Sequence, residues 1–185
     1  RVFPDLAFSI PGDRLPTANP PTAIRRIAVG VINDRWFADA DHYSRYLATL
    51  ATFVQKLLSR GHTITVIHGD GRYDLEPLKD LKGALRQLGL ADEDPRISSP
   101  RITTHSELLR QLADVDMVIA SRYHNVVLGL VLGRPTIALA YHFKLTVLLQ
   151  DFGMNDCTIE LDELDCVRLG HAFDALAARV QSAAH

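Results

Sequence analysis

DMVIASRYHNVVLGLVLGRPTIALAYHFK, residues 116–144, decides how this chain folds. Met117-Val118-Ile119-Ala120 is an apolar run that reads as a buried strand. Ser121, Arg122, Tyr123, His124 and Asn125 follow as a sharp polar turn, and the segment from Val126 to Leu132 is apolar on every side, so the helix it forms is buried. Gly133 and Pro135 end that helix, Thr136 to Ala140 reads as a second strand, and Tyr141, His142 and Lys144 make the next polar turn. Two neighbouring parallel strands then deliver Arg, His, Tyr and Lys to one carboxyl edge, where open α/β sheets bind ligands. The grouping points to a small anion.

Outward from this stretch, strands and helices alternate. Residues 26–32 form a nearly all-apolar strand, with Asn33, Asp34 and Arg35 as its polar turn. Tyr43, Tyr46, Leu47, Leu50, Val54, Leu57 and Leu58 keep helical spacing over residues 41–60, and Gly61 ends that helix. A strand over 63–67 closes at His68-Gly69-Asp70-Gly71, and Leu78, Leu81, Leu85 and Leu88 mark the following helix. A short strand lies within 96–103. Thr104 and Glu107 have capping-box spacing at the head of a helix that runs to Ala113. After Lys144 come a helix ending at Gly153, a short strand at 157–159 and a terminal helix over 162–183. This alternation predicts βαβ units and a mainly parallel sheet covered on both faces, a Rossmann-like domain.

Composition sets bounds. The chain has 185 residues, enough for one domain with a sizeable core. A net charge of -2 gives no global pull toward nucleic acid or an anionic membrane, and no apolar run reaches the length of a membrane span. Cys157 and Cys166 fit neither a disulfide framework nor a zinc spacing and read as idle thiols in a reducing cytoplasm. The chain starts on Arg1, and residues 1–22 hold five prolines without helical period. We therefore expect residues 1–22 to be a connector from a missing amino-terminal lobe and residues 23–185 to be the Rossmann-like domain.

Several chemistries fail on residue type. No Gly-x-Gly-x-x-Gly follows the first strand, no Gly-rich loop ends in Gly-Lys-Ser/Thr, and Gly-x-Ser-x-Gly and His-Glu-x-x-His are absent. The eight histidines form no convincing metal pair, so no metal and no cofactor is expected. Arg122 and His124 are different. They sit where a buried strand passes into a helix, beside free amides and the positive end of the helix dipole. Arg122 can fork onto a phosphate or carboxylate, and His124 can donate to a phosphate oxygen or move a proton near neutral pH. Spacing alone leaves a second reading level with this one, in which Arg122 pairs with an acid at an exposed edge and His124 only hydrogen-bonds at a helix end. His62, His68, His105 and His142 are read as surface or capping residues, and Asp34 and Asp70 as turn residues.

The run from Ala113 to Lys144 resembles the carboxyl-terminal half of the polysaccharide pyruvyl transferase family. In that family a strand ends in Arg-x-His, an apolar helix and Gly-x-Pro follow, and a second strand ends in Tyr-x-x-Lys. Here these are Arg122 and His124, Gly133 and Pro135, and Tyr141 and Lys144. Glu107, Leu108 and Leu109, the Asp114 and Asp116 pair, and the segment Pro4-Asp5-Leu6-Ala7-Phe8 also fit. The resemblance is strong over residues 104–153 and diffuse elsewhere.

It implies the second lobe of a two-lobe, glycosyltransferase-B-like architecture that transfers a pyruvyl group from phosphoenolpyruvate to a sugar of a polysaccharide, closing a ketal in exopolysaccharide synthesis. Arg122 and His124 would bind the donor, with Asn125, Tyr141 and Lys144 beside them. The acceptor would be a polysaccharide or lipid-linked sugar. The carbon acid and the hydroxyl-activating base would come from the missing lobe, leaving this lobe inactive alone. The family often carries an arginine directly after the first strand; this chain has Asn33 there, and Arg35, two residues on, is the candidate second donor contact. Two other readings compete: a nucleotide-sugar-binding lobe of a glycosyltransferase or epimerase, and a non-catalytic receiver-like module using Asp34, Ser121 and Lys144.

Overall fold

The computed structural model describes residues 10–33, 39–68 and 75–184. Six strands form one wholly parallel sheet: β1 (Arg26–Gly30), β2 (Thr63–Ile67), β3 (Ile97–Ser98), β4 (Met117–Ala120), β5 (Thr136–Ala140) and β6 (Thr158–Glu160). The helices between and after them are α1 (Ala40–Ser59), α2 (Leu75–Gln87), α3 (His105–Ala113), α4 (Tyr123–Val131), α5 (Phe143–Asp151) and α6 (Cys166–Ala183). Strand order is β3-β2-β1-β4-β5-β6. The chain moves outward from β1 to β3, crosses back to β4, and moves outward the other way. The doubly wound, Rossmann-like fold expected from the alternation is therefore present, with its switch point between β1 and β4. A receiver-like module, whose strand order is 2-1-3-4-5, is excluded by this topology.

Burial explains why these segments became strands. Every residue of β4 and β5 is buried, as a parallel strand covered on two faces requires. α1 packs on α2 and α6, while α3 packs on α4, which separates the helices into two outer layers. Phe53, Leu50 and Leu57 of α1, Ile27 of β1 and Met117 and Ile119 of β4 are among the largest fully buried side chains of the single core. At the amino edge β1 and β4 are locked by Asp116, which accepts from the Arg25 and Arg26 backbone N–H groups at 3.0 and 2.8 Å and from the Arg26 guanidinium at 2.8 Å. Burial alone would raise its carboxyl, but these donors outweigh it and hold Asp116 below the ordinary carboxylate range.

Two boundaries differ from those expected. β3 is only two residues long: Ile97 and Ser98 pair with Ile64 and Thr65 of β2, and Pro100, which has no N–H to give a ladder, follows. α6 begins at Cys166, since Asp165 caps it by accepting from the Val167 and Arg168 N–H groups, and Leu161–Glu163 is a separate 3-10 turn. The capping box holds: Thr104 accepts from the Glu107 N–H at 3.2 Å while Glu107 accepts from that of Thr104 at 3.0 Å. Before β1, residues 10–22 lie against the domain, with Ile10, Leu15 and Ala18 packed on the core. Arg134, the middle residue of Gly-Arg-Pro, is 4% exposed and donates to the Asn19 carbonyl at 2.8 Å and the Ala113 carbonyl at 2.6 Å.

Candidate functional site

The carboxyl edge at the switch point is built from the ends of β1 and β4. Pairing continues past the end of β1 on both sides: the Ser121 N–H, after β4, donates to the Gly30 carbonyl, and the Val31 N–H donates to that of Ile67 in β2. Chain direction then turns at Arg122, the N-cap residue of α4, whose backbone is extended at φ -71° and ψ 130°. Its carbonyl accepts from Val126 at 3.1 Å, so the Tyr123, His124 and Asn125 amides form the first turn, where helical N–H groups lack intrahelical partners. The Arg122 side chain makes no capping hydrogen bond to this turn. Arg122 is half-buried and His124 exposed, so both expected anion contacts stand at the rim of the edge.

The structure brings a further ring to His124. His105, first residue of α3, lies edge-on to it with centroids 6.0 Å apart, and Tyr123 flanks it at 5.8 Å. Because β3 precedes α3, the starts of α3 and α4 meet at one edge. His105 is exposed and leaves capping to Thr104, so its sequence assignment missed only its neighbour.

The other candidates are placed differently. Asn125 is fully buried, and among the described residues neither its Oδ1 nor its Nδ2 has a hydrogen-bond partner. It lies over Gly30, where an added Cβ would stand 2.8 Å from Nδ2 and 2.7 Å from the Ala120 Cβ. Tyr141 is half-buried against the core, and Lys144 is exposed in the first turn of α5. His142 caps that helix, its Nδ1 accepting from the Lys144 N–H at 3.2 Å, as its capping assignment expected. Arg35, Asp34, Asp70 and the Pro4–Phe8 segment lie outside the described residues.

Two histidine assignments need correction. His68 is 2% exposed rather than on the surface, since the residue after β2 is enclosed with the strand end. His62 is half-buried with its ring edge-on to Phe173 at 5.4 Å, and that burial lowers its imidazole pKa.

Sequence reading also missed the support beneath Arg122. Tyr46 of α1 is 2% exposed; its hydroxyl accepts from the Ile32 N–H at 3.2 Å and lies 3.0 Å from Oγ of the fully buried Ser121. One phenol thus ties α1 to the carboxyl ends of β1 and β4. In the sequence Tyr46 looks like any core ring at helical spacing. Neither cysteine belongs to the site: burial pushes the Cys157 thiol up to about 11 and raises that of Cys166. Among the described residues, no cluster of His, Cys, Asp and Glu is arranged to hold a metal ion, and no helix is long and apolar enough to cross a membrane.

The topology and this edge define a Rossmann-like domain with Arg122 and His124 at its switch point. In comparison with protein families, polysaccharide pyruvyl transferase matches residues 1–143, and the chain belongs to that family of transferases. The match takes in Arg122, His124 and Tyr141 and stops one residue short of Lys144. No curated protein matches the chain by sequence. Among solved structures, "E. coli heptosyltransferase WaaC with ADP-2-deoxy-2-fluoro heptose" is similar with a TM-score of 0.45 and 15% identity. That similarity covers 85% of this chain and 45% of the heptosyltransferase chain.

Proposed function

We propose that this domain binds phosphoenolpyruvate at the carboxyl edge between β1 and β4 for pyruvyl transfer to a sugar of a polysaccharide. The observation that carries the reading is the position of Arg122 and His124 at the start of the buried helix α4, whose N-cap side chain makes no capping bond, beside the switch point of the sheet. Phosphoenolpyruvate is small and multiply charged, and free first-turn amides, a guanidinium fork and an imidazole complement such a group. Each charge-assisted contact is worth about 1.5–3 kcal/mol, so two or three hold a small dianion at micromolar to millimolar strength.

The chemistry balances as follows. A proton added to the methylene carbon of phosphoenolpyruvate makes an oxocarbenium-like centre, which a sugar hydroxyl attacks, releasing its proton. Phosphate departs and a second hydroxyl closes the ketal, so donor and diol become pyruvate ketal and inorganic phosphate. Arg122 holds donor charge through the transition state, and His124 donates to the departing phosphate. Asn125 backs this turn from beneath, and Arg35, Tyr141 and Lys144 are secondary donor contacts. The carbon acid and the hydroxyl base belong to a second lobe facing this one across a cleft, in a glycosyltransferase-B-like arrangement. With phosphoenolpyruvate as donor the proposed compartment is the cytoplasm, and the proposed acceptor is a polysaccharide or lipid-linked sugar of exopolysaccharide synthesis.

Thermal shift of the chain with phosphoenolpyruvate and with uridine diphosphate tests the reading. Stabilisation by phosphoenolpyruvate that disappears in Arg122→Ala is expected; a response to uridine diphosphate alone refutes it in favour of a nucleotide-sugar lobe. In the two-lobe enzyme Arg122→Ala lowers turnover by about 100-fold or more, and unchanged kinetics would remove Arg122 from the mechanism.

A further inference from the structure

The first turns of α1 and the turn after β6 enclose a cleft that the donor corner does not use. His42, Arg45, Tyr46, Leu161, Asp162 and Leu164 line its volume of about 250 Å³. Both walls belong to the carboxyl edge, since α1 follows β1 and Leu161–Glu163 follows β6. Tyr46 links the cleft to the donor corner: the residue that lines one reaches with its hydroxyl to Ser121, the neighbour of Arg122.

The lining combines three kinds of surface. Arg45, exposed on α1, offers a planar fork of N–H donors, and the Asp162 carboxylate, 85% exposed, offers only acceptors. The His42 Nε2, itself enclosed, stands 3.6 Å from Asp162 Oδ1, which brings the α1 wall against the turn after β6. Half-buried Leu164 supplies most of the accessible apolar wall, with the edges of the nearly buried Tyr46 and Leu161 behind it. A sugar ring needs this set, because adjacent hydroxyls take a donor fork and an acceptor while its C–H face lies on apolar surface. Arg45 and Asp162 carry opposite charges, which disfavours a dianion such as the phosphoenolpyruvate expected next door. Size narrows the occupant further. Pockets for drug-sized ligands run from roughly 300 to 1,000 Å³, and this smaller one suits a monosaccharide unit rather than a nucleotide sugar.

We infer that this cleft binds one neutral pyranose unit of the acceptor, with Arg45 and Asp162 on its hydroxyls and Tyr46, Leu161 and Leu164 under its C–H face. The word acceptor rests on the function proposed above; the sugar binding does not. Leucine-methyl NMR of the chain, titrated with the methyl glycosides of glucose, galactose and mannose, with inorganic phosphate and with phosphoenolpyruvate, tests it. At least one glycoside should shift the Leu161 and Leu164 methyls saturably, while phosphate leaves them in place. Arg45→Ala and Asp162→Asn should each weaken that glycoside about tenfold, with the remaining methyl spectrum unchanged as the control for folding. Silence with all three glycosides, shifts produced by phosphate, or affinities untouched by both substitutions would overturn the assignment. Phosphoenolpyruvate is read separately at the His124 ring protons. Donor binding without sugar binding sinks the cleft alone, and sugar binding without donor binding sinks the donor reading alone.

Discussion

Arg122 and Tyr46 divide one task. Arg122, the proposed donor contact, stands half-buried at the rim, and a guanidinium on a long, rotatable stem is useful only if its backbone is held still. Tyr46 supports it from below, accepting from Ile32 N–H and touching Ser121, the residue before Arg122. Tyr46→Phe keeps the ring and removes the acceptor, leaving a buried N–H without that partner. The expected loss is about 1–3 kcal/mol, read as a lower urea midpoint. A variant as stable as the parent would show that the hydroxyl does not brace the turn. Chemical reactivity at this scale goes the other way for sulfur. With the Cys157 thiol pushed up to about 11 by burial, hardly any thiolate exists at neutral pH. Alkylation of native protein by iodoacetamide should spare Cys157 until denaturant is added.

At the scale of elements, what decides the site is how closely β1, β4 and α4 approach one another. Gly30 permits that approach: a methyl there would meet Ala120 Cβ at 2.7 Å and Asn125 Nδ2 at 2.8 Å. The Ala120 Cβ is fixed to its backbone, whose Cα stands at 3.3 Å, and Asn125 is fully buried, so the strand pair and helix must spread. Gly30→Ala should cost about 1–3 kcal/mol and also weaken phosphoenolpyruvate, because the displaced element is the one that carries Arg122 and His124. Loss of stability with ligand affinity intact would separate the packing from the site. The lock at the other edge answers to acid instead. Asp116 has its carboxyl pKa lowered in the folded chain, so the stability it adds is complete above the unfolded value near about 4 and fades as pH falls through the lower, folded one. Denaturation midpoints of the parent and Asp116→Asn should therefore differ most at neutral pH and converge in acid; a gap that grows in acid would contradict the sign.

For the whole molecule, the sheet was legible because its strands are short apolar runs punctuated by glycine and polar turns, and its helices keep one apolar stripe. Met117 to Ala120 and Thr136 to Ala140 declare themselves as strands without help from tertiary structure. Arg122 and His124 were legible for a related reason, since charge directly after a buried strand has few places to go but the carboxyl edge. What stayed hidden depends on partners distant in sequence. His105 and His124 are nineteen residues apart and meet only because two helix starts converge. Tyr46 reaches Ser121 across seventy-five positions. β3 pairs with β2 over two residues only, ahead of Pro100, and His68 is enclosed by its surroundings rather than by its own character.

Arg134 has a mechanical consequence for the segment ahead of β1. Its guanidinium works as a buckle, fastening the Asn19 carbonyl to the end of α3 from inside the domain. The prolines around it suggest a slack tether, yet a buckled strap transmits force instead of absorbing it. Arg14 lies exposed within the strap, and trypsin acting on native protein should cleave after it faster once Arg134→Gln has unfastened the strap; equal rates in parent and variant would show that Arg134 does not hold it. Any swing of material upstream must then pivot before Asn19, so that the sheet and its strap turn as one piece.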